Sequence, residues 1–286
     1  MSGEPGPVPV ALPPASAIEA DVARALAEDL GDGDVTALLL EDAPCRAEVV
    51  AKERAVLAGQ AWFERCFTAL DAGARVEWLV PEGARVDPGT RLCTIAARTR
   101  ALVSAERSAL NFLQLLSGTA TATRAYVDAV AGTRARILDT RKTVPGLRLA
   151  QKYAVRAGGG MNHRVGLHDA FLVKENHIAA AGSIATAVAR ARALRPKLLL
   201  EVEVESIAEL EQALAARPDR ILVDDFPLAD LARAVALAAG RCPLEASGGV
   251  SLEGVRAIAE TGVDYISVGA LTKHVRAIDL SLRVVA

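Results

Sequence analysis

Residues 198–249 read LLLEVEVESIAELEQALAARPDRILVDDFPLADLARAVALAAGRCPLEASGG. Three short apolar runs stand in this stretch, at 198–204, 220–225 and 243–247. Between them lie two Ala/Leu-rich segments with helical spacing, at about 207–216 and 228–239. A continuous apolar run suits a strand buried on both faces, and such runs alternating with helices predict a parallel sheet covered by helices. Outward from this stretch the pattern repeats. Further runs stand at 136–140, 170–174 and 265–269, and further helices are expected at about 183–194 and 252–261. Six such strands predict an α/β barrel, closed or open and incomplete, with a flat doubly wound sheet as the alternative. No G-x-G-x-x-G follows a strand, which disfavours the dinucleotide-binding form.

The chain before residue 118 has a different texture. A helix is expected at 18–30, broken by Gly31-Asp32-Gly33-Asp34. Strands are expected at 46–58, 75–80 and 90–97, joined by the turn sequences Pro81-Glu82-Gly83 and Asp87-Pro88-Gly89. A helix at 101–116 should end at Gly118, and a second at about 121–131 should follow. The expected organisation is a disordered Pro-rich lead at 1–16, a small N-terminal α/β domain at 17–118 and an α/β barrel at 119–286.

Composition narrows the function classes. The 286 residues are 51% hydrophobic and 24% charged, with a net charge of -2, as in ordinary globular proteins. No apolar run approaches the roughly 20 residues of a membrane span. With 3% aromatics and near-neutral charge, the chain lacks the stacking platform and basic face of a nucleic-acid binder. Cys45, Cys66, Cys93 and Cys242 form no CxxC pair, so they read as small core residues of a reducing, cytoplasmic setting and not as a zinc site.

Charge is nonetheless concentrated locally. From Arg141 to Lys174 there are seven Lys/Arg residues and one acid, Asp169, together with His163 and His168. The strand runs also end in polar sequence: Asp139-Thr140-Arg141-Lys142-Thr143, Lys174-Glu175-Asn176-His177, Glu201/Glu203/Glu205, Asp224-Asp225, Ser247-Gly248-Gly249 and Gly269-Ala270. In α/β barrels this face builds the active site. Each piece also has a plain structural reading. Arg141-Lys142 suits a solvated loop, the alternating glutamates a solvated edge strand, Asp224-Asp225 a helix cap, and the Gly pair a turn. Jointly they divide into a cationic half suited to carboxylates and an acidic half, Glu203 and Asp224, suited to Mg²⁺. Backbone N–H groups near residues 247–249 and 268–270 suit a terminal phosphate. Together these point to phosphoribosyl transfer onto an acidic heterocycle. Arg148, Lys152 and Arg156 fall at helical spacing and are expected, at least in part, on a helix surface or interface.

At these residues the chain resembles quinolinate phosphoribosyltransferases. The resemblance starts at Glu28-Asp29-Leu30-Gly31 with Asp34 and Thr36, and includes Glu106-Arg107 and Asn111-Phe112. It continues through DTRKT at 139–143, GGGMNHR at 158–164, LVKENH at 172–177, EVEV at 201–204 and EASGG at 245–249, to Leu271. It implies a type II phosphoribosyltransferase fold, a small N-terminal α/β sandwich-type domain on an open barrel. It further implies the reaction of quinolinate with phosphoribosyl pyrophosphate in de novo NAD biosynthesis, with Mg²⁺ as cofactor. Quinolinate would meet Arg107, Arg141, Thr143, His163, Arg164 and Lys174. Phosphoribosyl pyrophosphate would meet Lys142, Glu203, Asp224, Ser247, Gly248, Gly249, Val268, Gly269, Ala270 and His274. Glu203 and Asp224 would hold the metal, and both would act in catalysis with Lys142. A homodimer or higher homo-oligomer is implied, with Arg107 supplied by the partner subunit. The family's Asp-Asn after the fourth strand is Asp224-Asp225 here. Two other readings compete: a phosphoribosyltransferase for another aromatic acid or base, and a non-catalytic binding protein, which predicts loss of Lys142, Glu203 or Asp224.

Overall fold

A computed structural model describes residues 10–285 of the chain. The chain folds into two units. The first holds the chain up to Arg124, Thr143–Gly159 and His274–Ala286; the second holds Ala125–Lys142 and Gly160–Lys273. This division interleaves more than the linear boundaries 17–118 and 119–286.

In the first unit, helix α1 (Ala15–Leu30) precedes strands β1 (Pro44–Ala51) and β2 (Ala55–Val56), helix α2 (Gln60–Leu70), and strands β3 (Arg75–Trp78), β4 (Arg85–Val86) and β5 (Arg91–Arg98). Helix α3 (Thr99–Ala129) follows, and α4 (Arg148–Ala157) and the C-terminal strand β12 (Leu280–Val285) return to this unit. The antiparallel sheet has the order β12-β1-β5-β3. Along β1, Ala47, Val49 and Ala51 are buried while Arg46, Glu48 and Val50 between them are less so, the alternation of a sheet with one face on a core. The scarce aromatics gather there, with Trp62, Phe63 and Phe67 of α2 fully buried against Leu92, Ile95, Leu102 and Leu113.

Several expectations change here. The lead at 1–16 lies outside the described residues up to residue 9, and Ala15 and Ser16 already belong to α1, which starts directly after Pro14. The single run 46–58 is two strands, because the chain turns at Glu53, whose carboxylate accepts from Asp279 N at 2.8 Å and pairs with Arg276. The helices expected at 101–116 and 121–131 are one helix, α3. Gly118 does not end it. A Cβ at Gly118 would lie 2.2 Å from the carbonyl oxygen of Arg276, so the glycine admits a neighbouring backbone. Neither α2 nor β12 stands out in the local sequence pattern. The latter pairs with β1 in antiparallel register, Val49 opposite Leu282.

The second unit is the parallel layer. Its strands are β6 (Arg136–Leu138), β7 (Ala170–Val173), β8 (Leu199–Val204), β9 (Arg220–Asp224), β10 (Leu244–Ser247) and β11 (Tyr265–Ser267). Its helices are α5 (Glu175–Ala181), α6 (Ile184–Leu194), α7 (Ile207–Ala216), α8 (Leu228–Ala238), α9 (Val255–Glu260) and α10 (Ala270–Lys273). The sheet order β6-β11-β10-β9-β8-β7 runs consecutively from β7 to β11 and then back to β6. A doubly wound sheet would reverse its order at a switch point, and this one does not. Among the described residues β6 and β7 do not pair, so the barrel is open.

The register decides which residues share the interior. Glu203 aligns with Leu222, Leu222 with Glu245, and Glu245 with Tyr265. One step further along, Asp224 aligns with Ser247. The alternate residues Val202, Val204, Ile221, Val223, Ala246 and Ile266 are buried on the other face, toward the helices. Strand β8 lies between β7 and β9, so its glutamates are not on an edge.

Candidate active site

The C-terminal strand ends of the second unit surround a cavity of about 280 Å³. Arg141, Lys142, His163, Arg164 and Lys174 line it on the cationic side, and Glu203, Asp224 and Ser247 on the other. These sequence-predicted residues are therefore brought together. Size does not select this cavity; one of about 400 Å³ in the first unit, lined by Asp21, Arg24, Glu28, Asp29, Arg107 and Asn111 among others, is larger. Chemistry selects it, because convergent charges of both signs at barrel strand ends are what a site for anionic substrates requires.

Lys142 follows β6 and is fixed through its backbone. Its N–H donates to Thr140 Oγ1 at 3.1 Å, and its carbonyl accepts from Thr272 Oγ1 at 2.9 Å. Gly269 leaves room for its stem: a Cβ there would lie 3.1 Å from Lys142 Cδ. Lys174 directly follows β7, and its Nζ lies 2.5 Å from Glu203 Oε2. Burial, and next the charge of Arg141, hold the Arg164 guanidinium below its ordinary pKa, as expected of two cations aimed into one space.

His163 is held on three sides. Asp139, fully buried just after β6, accepts from His163 N at 2.9 Å and from Asn162 Nδ2 at 2.6 Å. The Arg164 backbone N–H donates to His163 Nδ1 at 2.8 Å, and His163 Nε2 lies 2.7 Å from Glu201 Oε2. Both ring nitrogens thus have protein partners, although the side chain lines the cavity.

Below the cavity, Arg220 Nη1 donates to Glu245 Oε2 at 2.8 Å, and its guanidinium stacks 4.2 Å over the Tyr265 ring. Glu201 and Glu245 are 1% and 0% exposed. Burial, and next the charge of Glu201, push the Glu245 carboxyl up to about 7, outweighing His163 and Arg220. The glutamates of β8 therefore do not stand in unrelieved repulsion. Glu201 faces His163 and Arg220, and Glu203 faces Lys174.

The loop after β10 carries the strain. Gly248 has φ +95, and a Cβ on it would lie 2.0 Å from Asp225 Oδ1 and 2.8 Å from Asp225 N. Asp225 itself sits at φ 54 and donates its N–H to the Ser247 carbonyl at 3.0 Å. Asp and Asn both tolerate this left-handed region better than most residues, so Asp225 fits where the family carries Asn. Gly249, Val268 and Gly269 lie in the neighbouring strand-to-helix connections, and Ala270 opens α10. Arg107, Thr143 and His274 belong to the first unit, where Thr143 Oγ1 accepts from Arg148 Nε at 3.2 Å. Arg148, Lys152 and Arg156 all lie on α4, with Lys152 buried.

The donor set suits a hard divalent cation. Oxygens of Glu175, Glu203 and Glu205 come within 4.8 Å of one another, and of these Glu203 lines the cavity together with Asp224 on the adjacent strand. Carboxylates of this kind fit Mg²⁺, which takes oxygen ligands. The sequence pattern did not assign Thr140, Glu201, Arg220, Glu245 or Ser267 to the site. The available signal was a charged residue in the middle of an apolar run, as in Leu244-Glu245-Ala246.

Fold and site together define an α/β-barrel enzyme for small substrates carrying several negative charges. Comparison with known proteins agrees and narrows the class. Residues 34–117 match the N-terminal domain, and residues 119–283 the C-terminal domain, of quinolinate phosphoribosyl transferase. The chain belongs to this family. Among its relatives, the nicotinate-nucleotide pyrophosphorylase [carboxylating] of Mycobacterium leprae (strain TN) is 47% identical over 272 residues, covering 91% of this chain and 95% of that protein. The quinolinate phosphoribosyltransferase [decarboxylating] 1b of Nicotiana tabacum is 42% identical over 282 residues, covering 91% and 80%. The solved structure of the nicotinate-nucleotide pyrophosphorylase from Francisella tularensis superposes with a TM-score of 0.93 at 46% identity, covering 95% of this chain and 97% of that one.

Proposed function

We propose that this chain transfers the phosphoribosyl group of phosphoribosyl pyrophosphate to the nitrogen of quinolinate. The products are nicotinate mononucleotide, pyrophosphate and CO₂, a step of NAD biosynthesis. The observation that carries this reading is the single cavity in which Arg141, Lys142, Arg164 and Lys174 converge opposite Glu203 and Asp224. Two ring carboxylates call for several cations, and Arg binds carboxylates bidentately. Arg141, Arg164 and Lys174 take the carboxylates, with Lys174 exchanging Glu203 for substrate. Lys142, between the two substrates, offsets the charge of departing pyrophosphate. Glu203 and Asp224 stabilise the positive charge that grows on the ribose. The ring nitrogen captures the sugar and becomes cationic, so the adjacent carboxylate leaves as CO₂, its electron pair stays on ring C2 beside the cationic nitrogen, and C2 takes up a proton from solvent. The protein contributes positioning and electrostatics, with no covalent nucleophile.

Glu203 and Asp224 would hold Mg²⁺, which when bound neutralises pyrophosphate charge. Ser247, Gly248, Gly249, Val268, Gly269, Ala270 and His274 would receive the 5'-phosphate. His163, Arg107 and Thr143 complete the quinolinate subsite, Arg107 coming from a partner subunit of a homodimer or higher homo-oligomer. The setting we propose is the cytoplasm, in keeping with four free thiols. Among the described residues no helix is long and apolar enough to cross a membrane.

The test is incubation with quinolinate, phosphoribosyl pyrophosphate and Mg²⁺, following CO₂ and nicotinate mononucleotide. Stoichiometric release of both is expected. Product with another aromatic acid and none with quinolinate would overturn the reading.

A further inference from the structure

Of the buried charges, Glu245 lines the cavity while Glu201 and Arg220 do not, and fully burying two carboxylates is costly. Apolar residues of similar size would fill the barrel more cheaply. The cluster also touches His163, through Glu201 Oε2 at 2.7 Å and Glu245 Oε1 at 3.6 Å.

A backbone N–H can only donate, so the 2.8 Å contact from Arg164 N makes His163 Nδ1 an acceptor. The ring proton therefore sits on Nε2 and is donated to Glu201 Oε2, 2.7 Å away. The Nδ1–H tautomer would put a donor against the Arg164 N–H and remove the donor facing Glu201. The Arg164 side chain has no comparable anchor of its own. Among the described residues its hydrogen bond to the protein is a 3.5 Å contact from Nη1 to the Ala170 carbonyl, at the limit of such a bond. The direction of Arg164 thus depends on its backbone, which the ring of His163 holds on one side while Asp169 accepts from the following N–H groups of Val165 and Gly166 at 2.7 and 2.9 Å. Glu201 is in turn braced by Arg220, whose Nε lies 3.9 Å away and whose Nη1 is tied to Glu245 at 2.8 Å.

We propose that Glu201 is a positioning residue for the acceptor subsite: it holds His163 in the Nε2–H form and thereby aims Arg164 at the carboxylates of the aromatic substrate. Arg220 and Glu245 support it. The inference rests on the assignment of Arg164 to quinolinate under the proposed function.

The experiment compares Glu201→Leu, which removes the acceptor, with Glu201→Gln, whose amide oxygen still accepts from Nε2–H. In steady-state assays Glu201→Leu is expected to raise the KM for quinolinate about tenfold or more, the scale of losing a hydrogen bond to a charged group. The KM for phosphoribosyl pyrophosphate should stay near wild type, and Glu201→Gln should recover most of the loss. ¹⁵N NMR of the His163 ring should show the Nε2–H form in wild type and Glu201→Gln, and lose it in Glu201→Leu. Equal movement of both KM values, no movement of either, or an Nδ1–H ring in the wild type would each overturn the proposal. If Glu201→Leu does not fold, Glu201→Asn replaces it, since the same amide withdrawn by one methylene should raise the quinolinate KM above that of Glu201→Gln; equal values would overturn the proposal. A wild type inactive on quinolinate would instead sink the functional reading, while the NMR result would still report on the Glu201–His163 contact.

Discussion

Lys174 Nζ and Glu203 Oε2 stand 2.5 Å apart at the ends of adjacent strands, the lysine 40% exposed and the glutamate 8%. The pair joins the cationic half of the site to the acidic half. In the absence of substrates each neutralises the other, which keeps the acid from lying buried and unpaired. A substrate carboxylate must compete with Glu203 for this lysine.

From that competition follows a directional result. Glu203→Gln frees Lys174, so quinolinate binding measured by calorimetry should tighten several-fold. Turnover should fall by orders of magnitude, because the negative charge facing the ribose is gone. Weaker quinolinate binding in this variant would contradict the exchange of partners.

Arg164→Ala should lose roughly 2–4 kcal/mol of transition-state binding, the scale of leaving a buried substrate charge unpaired. Circular dichroism and Tm should remain near wild type, since the side chain is tied to the protein by the long contact to Ala170. Near-normal kcat/KM would remove Arg164 from the site.

Gly248→Ala tests the phosphate-side loop. The added Cβ meets Asp225 at 2.0 Å in a backbone region that L residues rarely adopt. A cost of about 1–3 kcal/mol is expected in denaturant unfolding, the range for strained backbone. The KM for phosphoribosyl pyrophosphate should rise with it. Asp225→Asn, suited to the same φ, should leave both readouts near wild type.

Glu245 predicts a pH dependence of stability. Its folded pKa, about 7, lies above its ordinary 4.5, so the folded state binds the proton more tightly. Its contribution is therefore fully present below about 4.5 and is lost as pH rises through 7. Glu245→Gln removes this component. Chemical denaturation from about pH 5 to 8 should show the wild type losing stability relative to the variant as pH increases. Parallel curves would show that Glu245 does not take up a proton on folding.

Much of this was legible along the chain. The apolar runs from Arg136 to Ser267 marked a parallel barrel because strands buried on both faces need continuous apolar sequence. Their polar ends marked the site because barrel strands deliver side chains to one rim. Lys142, Glu203 and Asp224 were recognisable from such positions together with the family motifs. Elements set by distant partners were less legible. β12 is defined by pairing with β1, far away along the chain, and Gly118 reads locally as a helix stop although it makes room for the backbone of Arg276. Glu201 and Glu245 likewise read as strand residues of uncertain face until the register sets them beside His163 and Arg220.

By itself the sequence determined the class of fold, the charges available to the site and the family, since these depend on residue type and local period. Only the tertiary structure decided which charges neutralise which. Lys174 with Glu203, and Glu201 with His163, join residues 29 and 38 positions apart. Coulomb and hydrogen-bond energies depend on distance in space, and strand register, not sequence order, sets that distance.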